Sequence, residues 1–279
     1  MTGWRIVCDV GGTNIRIARS EGPKQLVDVR VQPTELCPSL LKAILDYCHT
    51  FKDTGKLEGA AIACAGPVDS GHVTLTNGHM TIERQAMIAG LGGRPVALLN
   101  DLEATAYAIP FLSGGDTHAL VEAQRSELGP YLVVNVGTGF GAALLFQTPV
   151  GWQSVATEAG HMTLGITDKS GLLSVEDKLS GLSVCAGTQQ PFASDMFVEE
   201  FGEMLGSVCG NLVLATGAWG GVYLCGSVAS AWCRAKNFAP FIASFRNKGR
   251  MSDKMARIGI REIVLPHPAL IGLTTIKLS

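Results

Sequence analysis

One local pattern occurs twice in this chain, and it limits the fold more than any other feature. Arg5-Ile6-Val7-Cys8-Asp9-Val10 is an apolar run of strand type that meets Gly11-Gly12, and Ile15-Arg16-Ile17-Ala18 resumes it beyond the turn. The pattern returns where Tyr131-Leu132-Val133-Val134-Asn135-Val136 runs into Gly137-Thr138-Gly139-Phe140-Gly141 and on through Ala142-Ala143-Leu144-Leu145-Phe146. Each copy reads as a glycine-tipped hairpin. Taken singly, such a hairpin is an ordinary tight turn, with Asp9 satisfied by turn amides. Taken as a pair, each with a threonine at its tip (Thr13, Thr138), the turns can offer backbone N–H groups and hydroxyls to a polyphosphate. Neither is a P-loop, which needs G-x-x-x-x-G-K-[ST], nor a dinucleotide G-x-G-x-x-G before a helix.

Between and after the hairpins, helical and strand periods alternate. Leu40 to Phe51 has apolar residues at helical spacing, and Gly59 to Ala65 is a buried-strand run. Val96-Ala97-Leu98-Leu99-Asn100-Asp101 is a strand feeding a helix from Leu102 that Pro110 helps to stop. Phe197 to Ala215 reads as a long helix, and Gly221 to Ser227 as a strand ending in a glycine turn. This is α/β layering. Polar and glycine residues at Ser113-Gly114-Gly115-Asp116 suggest a boundary between a small domain, 1–112, and a larger one, 113–267. With 279 residues and a hydrophobic share of 47%, two cores can be filled.

The net charge of -2, with no basic run, argues against a nucleic-acid or membrane partner and favours a small molecule. The N-terminal apolar run is too short for a signal peptide, and no stretch of about 18 apolar residues occurs, so a soluble, cytoplasmic protein is expected. The eight cysteines are scattered without a C-x-x-C pair, which points to buried thiols. Asp101, at a strand end, is a candidate base for a hydroxyl substrate, although spacing alone fits a helix cap equally well.

With these motifs in this order over nearly its whole length, the chain resembles the bacterial glucokinases of the actin-like ATPase superfamily. Asp9-Val10-Gly11-Gly12-Thr13-Asn14-Ile15-Arg16 is similar to the first phosphate motif of that family, and Gly137-Thr138-Gly139-Phe140-Gly141 to the second. Ile62 to Val68 resembles the stretch before the sugar-contacting Leu75-Thr76-Asn77, and Leu99-Asn100-Asp101 the catalytic motif. Glu158-Ala159-Gly160-His161 looks like the sugar-binding loop, Trp219 to Gly226 the adenosine-side motif, and Phe245 to Arg250 a late segment of the same proteins.

The resemblance implies a two-domain α/β protein of the actin-like ATPase (ribonuclease H-like) fold with an interdomain cleft, its small domain completed by Pro268 to Ser279. It implies ATP-dependent phosphorylation of the 6-hydroxyl of glucose, with Asp101 as general base. Hexose would contact Asn77, Asn100, Asp101, Glu158, His161 and Glu176, a mixed donor and acceptor set suited to a polyhydroxylated ring. ATP would contact Asp9, Gly11, Gly12, Thr13, Asn14, Arg16, Gly137, Thr138, Gly139 and Gly226, with Mg²⁺ held by Asp9 through water. A homodimer is compatible with the resemblance. His161 could instead be structural or zinc-bound, but no cysteine cluster follows it. Glu176 could be a solvated helix charge. Another hexose or an amino sugar, or a catalytically silent sugar sensor, remain as alternative functions. The chain departs from the family in two shortened segments, on either side of Leu179-Ser180-Gly181, and in Ser227, where a second glycine is common.

Overall fold

The computed structural model describes residues 3–51, 55–75, 80–123, 129–166, 171–185 and 192–278. The chain divides into two units, Met1–Phe111 with His267–Ser279, and Leu112–Pro266.

The first unit is built on a five-stranded sheet of order β3-β2-β1-β4-β7. Strands β1 (Trp4–Val10), β2 (Asn14–Gly22) and β3 (Gln25–Pro33) form an antiparallel meander. After α1 (Leu40–His49), capped by the Ser39 hydroxyl, β4 (Leu57–Cys64) lies parallel to β1. A small hairpin of β5 (His72–Thr74) and β6 (Thr81–Glu83) leads through α2 (Arg84–Gly90) to β7 (Val96–Asn100), parallel to β4, and then to α3 (Asp101–Ala108). Gly59 to Cys64 is wholly buried, as expected of a central strand covered on both faces. One face packs Ile6, Ile15, Ile44, Tyr47 and Ile62. The other is lined by small residues, Ala18, Ala61, Ala63 and Ala97, so helices lie close to the sheet. Close approach is greatest where the C-terminal helix, Pro268–Leu273, crosses α3: a Cβ on Gly272 would stand 1.7 Å from the Ala104 carbonyl oxygen.

The second unit repeats the plan in a six-stranded sheet, β11-β10-β9-β14-β15-β8. Strand β8 (Thr117–Val121) lies on one edge; β9 (Tyr131–Val136), β10 (Phe140–Thr148) and β11 (Gly151–Thr157) form the meander. A second small hairpin, β12 (Thr163–Ile166) and β13 (Leu172–Ser174), is followed by the short helices α4 (Glu176–Leu179) and α5 (Gly181–Val184) and the long α6 (Asp195–Thr216). Strand β14 (Gly221–Cys225) lies parallel to β9; then come α7 (Ser227–Cys233), α8 (Ala239–Arg246), α9 (Ser252–Met255) and β15 (Ile260–Ile263), parallel to β14. Trp232, Phe241 and Phe245 are fully buried, each worth roughly 1.5–3 kcal/mol by apolar burial. A meander followed by parallel strands, duplicated along one chain, is the ribonuclease H-like plan of the actin-like ATPase fold. All eight cysteines are free thiols. No described helix is long and apolar enough to cross a membrane.

Candidate active site

The register of the first sheet gathers acids at one edge. Asp9 stands opposite Arg16 in β2 and Ala63 in β4, and Ala63 stands opposite Leu99 in β7. Because β1, β4 and β7 run parallel, Asp9 and the Asn100-Asp101 junction arrive at the same end of the sheet. The Arg16 Nη1 donates to Asp9 Oδ2 at 3.0 Å, and the Asp9 side chain is only 14% exposed. Burial raises the Asp9 pKa, while Arg16 and, more weakly, His267 hold it down. His267 caps the C-terminal helix with a left-handed backbone, φ 54°, and burial followed by the Arg16 charge lowers its own pKa.

Beyond Asp9 the chain turns through Gly11, Gly12 and Thr13. The Gly11 amide donates to the Asn14 carbonyl at 3.0 Å. Thr34 braces the turn from outside, its hydroxyl donating to the Gly11 carbonyl at 2.7 Å and its amide to the Thr13 carbonyl at 2.9 Å. Gly12 and Thr13 are exposed, and their amides donate to no other described residue. Two N–H groups without an acceptor among the described residues, beside a threonine hydroxyl, are the kind of donor set that suits an anion.

Asn100, not Asp101, caps α3. Its Oδ1 accepts from the Leu102 amide at 2.9 Å, its Nδ2 donates to the Gly66 carbonyl at 3.1 Å, and its own amide donates to Glu103 Oε2 at 3.1 Å, completing a capping box. Asp101 is therefore the first helical residue, with Oδ1 accepting from the Leu102 amide at 2.9 Å. A helix N-terminus normally favours a carboxylate. Here burial, and next the negative charge of Asp9, outweigh the amide hydrogen bonds and raise the Asp101 pKa to about 7. Such a group is poised to accept a proton near neutral pH.

In the second unit, the Gly137 amide donates to the Gly139 carbonyl at 3.0 Å, and Thr138 projects outward. The amides of Thr138 and Gly139, like those of Gly12 and Thr13, donate to no other described residue. The turn is packed from behind: Gly181 N donates to Gly137 O at 2.7 Å, Leu182 N to Thr138 O at 3.4 Å, and Phe140 N to Glu176 Oε2 at 2.8 Å. Gly226 abuts the end of β9 with φ 99°, and a Cβ there would lie 2.4 Å from the Val136 carbonyl oxygen. The next residue, Ser227, opens α7 without a positive φ, so serine in place of glycine brings no backbone strain. Glu158 precedes and His161 ends the 3₁₀ turn Ala159–His161, with side chains 72% and 73% exposed and Nε2 3.9 Å from Oε2.

Of the residues expected at a site, the first unit thus brings together Asp9, Arg16, Asn100 and Asp101. The second brings Gly137, Thr138, Gly139 and Glu176 into contact, and Gly226 packs against the strand that leads into their turn. Asn77 lies outside the described residues. Sequence reasoning missed Thr34 and His267. The first follows a proline at the end of an edge strand and the second precedes one, and neither context marks a site.

The family profile described as Glucokinase matches residues 6–181 and 171–278 of the chain. The chain belongs to the glucokinase family. A glucokinase of Neisseria gonorrhoeae is 30% identical over 305 residues, covering 96% of this chain and 93% of the relative. A bifunctional protein glk of Burkholderia thailandensis is also 30% identical, over 311 residues, covering 98% of this chain but 48% of the relative, so the chain spans about half the length of that protein. Among solved structures, a glucokinase from an Antarctic psychrotroph superposes with a TM-score of 0.82 at 25% identity, covering 97% of both chains.

The glucokinase family's phosphoryl donor and metal can be weighed against the residues themselves. The Asp9 charge raises the cost of ionising Asp101, a stress that a divalent cation would relieve. Among the described residues Asp9 Oδ1 accepts no hydrogen bond, so the carboxylate fits Mg²⁺ held through water.

Proposed function

We propose that this chain is an ATP-dependent hexose kinase, a glucokinase in which Asp101 takes the proton from the 6-hydroxyl of glucose. The observation that carries this reading is the Asp101 carboxyl at the end of β7, with its pKa raised to about 7 by burial and by Asp9. As the hydroxyl oxygen forms its bond to the γ-phosphorus, its proton passes to Asp101, the bond to the β–γ bridging oxygen breaks, and ADP leaves. Asn100 fixes the position of Asp101 by tying the helix cap to Gly66.

The free amides of Gly12, Thr13, Thr138 and Gly139, with the two threonine hydroxyls, are assigned to the phosphates. Gly11 and Gly137 shape those turns, Asn14 adds an amide beside the first, and Gly226 supports the second. Arg16 holds Asp9 in its rotamer. Mg²⁺, when bound through Asp9, neutralises phosphate charge. Glu158 and His161 present an acceptor and a donor to sugar hydroxyls, with Asn77 and Asn100 completing the set. The donor nucleotide is a cytoplasmic metabolite, which is where this reading places the protein.

The test is ADP release with Mg²⁺ across glucose, mannose, fructose and an amino sugar. Glucose should give the highest kcat/KM. A hexose-dependent rise in melting temperature with no ADP released for any sugar would end the kinase reading in favour of a sensor.

A further inference from the structure

Glu176 is the one expected sugar contact whose carboxylate is turned onto the phosphate turn. Its Oε2 accepts from the Phe140 amide at 2.8 Å, and a Cβ added to Gly139 would lie 2.7 Å from that same oxygen. The other side of the Phe140 peptide unit is also occupied. A Cβ on Gly160, in the loop of Glu158 and His161, would stand 2.4 Å from the Phe140 carbonyl oxygen and 3.5 Å from Glu176 Oε2. The turn, the 158–161 loop and α4 therefore meet on one buried residue, Phe140, 6% exposed. The remaining hydrogen bonds from this segment to the turn, those of Gly181 and Leu182, come from the backbone.

A carboxylate beside a triphosphate site lowers affinity by repulsion, so its presence calls for a compensating geometric role. The geometry supplies one. A charge-assisted bond holds the Phe140 N–H, and the Thr138 and Gly139 amides that precede it are left without an acceptor among the described residues. Without the acceptor, a buried N–H is orphaned and the turn can relax to satisfy it.

We propose that Glu176 is a positioning residue for the nucleotide, setting the Gly137–Phe140 turn and joining it to the hexose loop. The proposal rests on the kinase reading above. It separates from a sugar-contact role in protein that contains no sugar.

The experiment is calorimetric titration of the sugar-free full chain with a non-hydrolysable ATP analogue and Mg²⁺, for the wild type, Glu176→Ala and Glu176→Gln. Removing the acceptor should weaken the analogue about tenfold. The glutamine keeps an acceptor oxygen and loses the repulsive charge, so its affinity should equal or exceed that of the wild type. Hydrogen exchange of the 137–141 amides, without any ligand, should be faster in the alanine variant alone. If the alanine variant binds the analogue like the wild type and loses only hexose affinity, Glu176 is a sugar ligand, and this proposal falls while the kinase reading stands. Equal exchange rates in all three proteins would likewise overturn it. A wild type that binds no ATP analogue ends both.

Discussion

The two glycine turns look alike in sequence but are held in opposite ways. Gly11–Thr13 is braced by Thr34, whose hydroxyl and amide donate to its carbonyls. Gly137–Gly139 is braced by an acid, through the Phe140 amide and Glu176. In the first unit, burial and then the Asp9 charge act against Asp101, which is raised to about 7. In the second, the acid is satisfied by the backbone it supports. An acid's residue type and its place in a motif therefore do not fix its task. The hydrogen-bond donors and charges around it do.

The contrast breaks most visibly in turnover. Asp101→Asn should lower kcat by about 10²–10⁴-fold, the range of a lost general base, with glucose affinity by calorimetry held within a few-fold. An equal loss of kcat in Glu176→Gln would erase the distinction between the two acids. Next in size is stability at the packed turn. Gly226→Ala, with φ 99° and the Val136 carbonyl in the way, should cost about 2–4 kcal/mol in urea unfolding. Gly12→Ala, at an exposed tip without a positive φ, should cost less than about 1 kcal/mol.

The third effect concerns pH. A folded pKa of about 7 lies above the unfolded value, so ionised Asp101 is the less stable form in the native protein. Its penalty is absent below about pH 4 and complete above pH 7. Asp101→Asn should therefore gain about 1–3 kcal/mol over wild type at pH 8 and almost nothing at pH 4, read by urea unfolding at both. In the wild type, kcat/KM should rise with pH and level off above about pH 7; a flat profile from pH 5 to 8 would remove Asp101 as the base. The smallest effect is at the neutral brace. Thr34→Val removes the hydroxyl bond to Gly11 and should cost about 1 kcal/mol, with a rise of a few-fold in KM for ATP.

What could be read from sequence follows from where the signals are local. Strands β1, β4 and β9 are continuous apolar runs because they are covered on both faces, and α6 carries a helical period over its length. β3 escaped notice although Val27-Asp28-Val29-Arg30-Val31 alternates, because it is a largely exposed edge strand whose valines at 29 and 31 bury no face. At Asn100-Asp101 the spacing allowed either a cap or a base. Only the capping box, in which Asn100 Oδ1 accepts from the helix and Glu103 accepts from the Asn100 amide, assigns the cap to Asn100. The brace of Thr34 on Gly11 and that of Glu176 on Phe140 join residues far apart in sequence, and nothing in the local pattern foretells either.

The crossing of Gly272 over Ala104 bears on how the protein is made. Helix α3, which begins with Asp101, is covered by Pro268–Leu273, a segment far later in the sequence. On the ribosome the strands before α3 emerge first, yet the wall behind α3 is missing until residues 268–273 have been made. A nascent chain halted anywhere before residue 268 would carry Asp101 on a helix with no wall behind it.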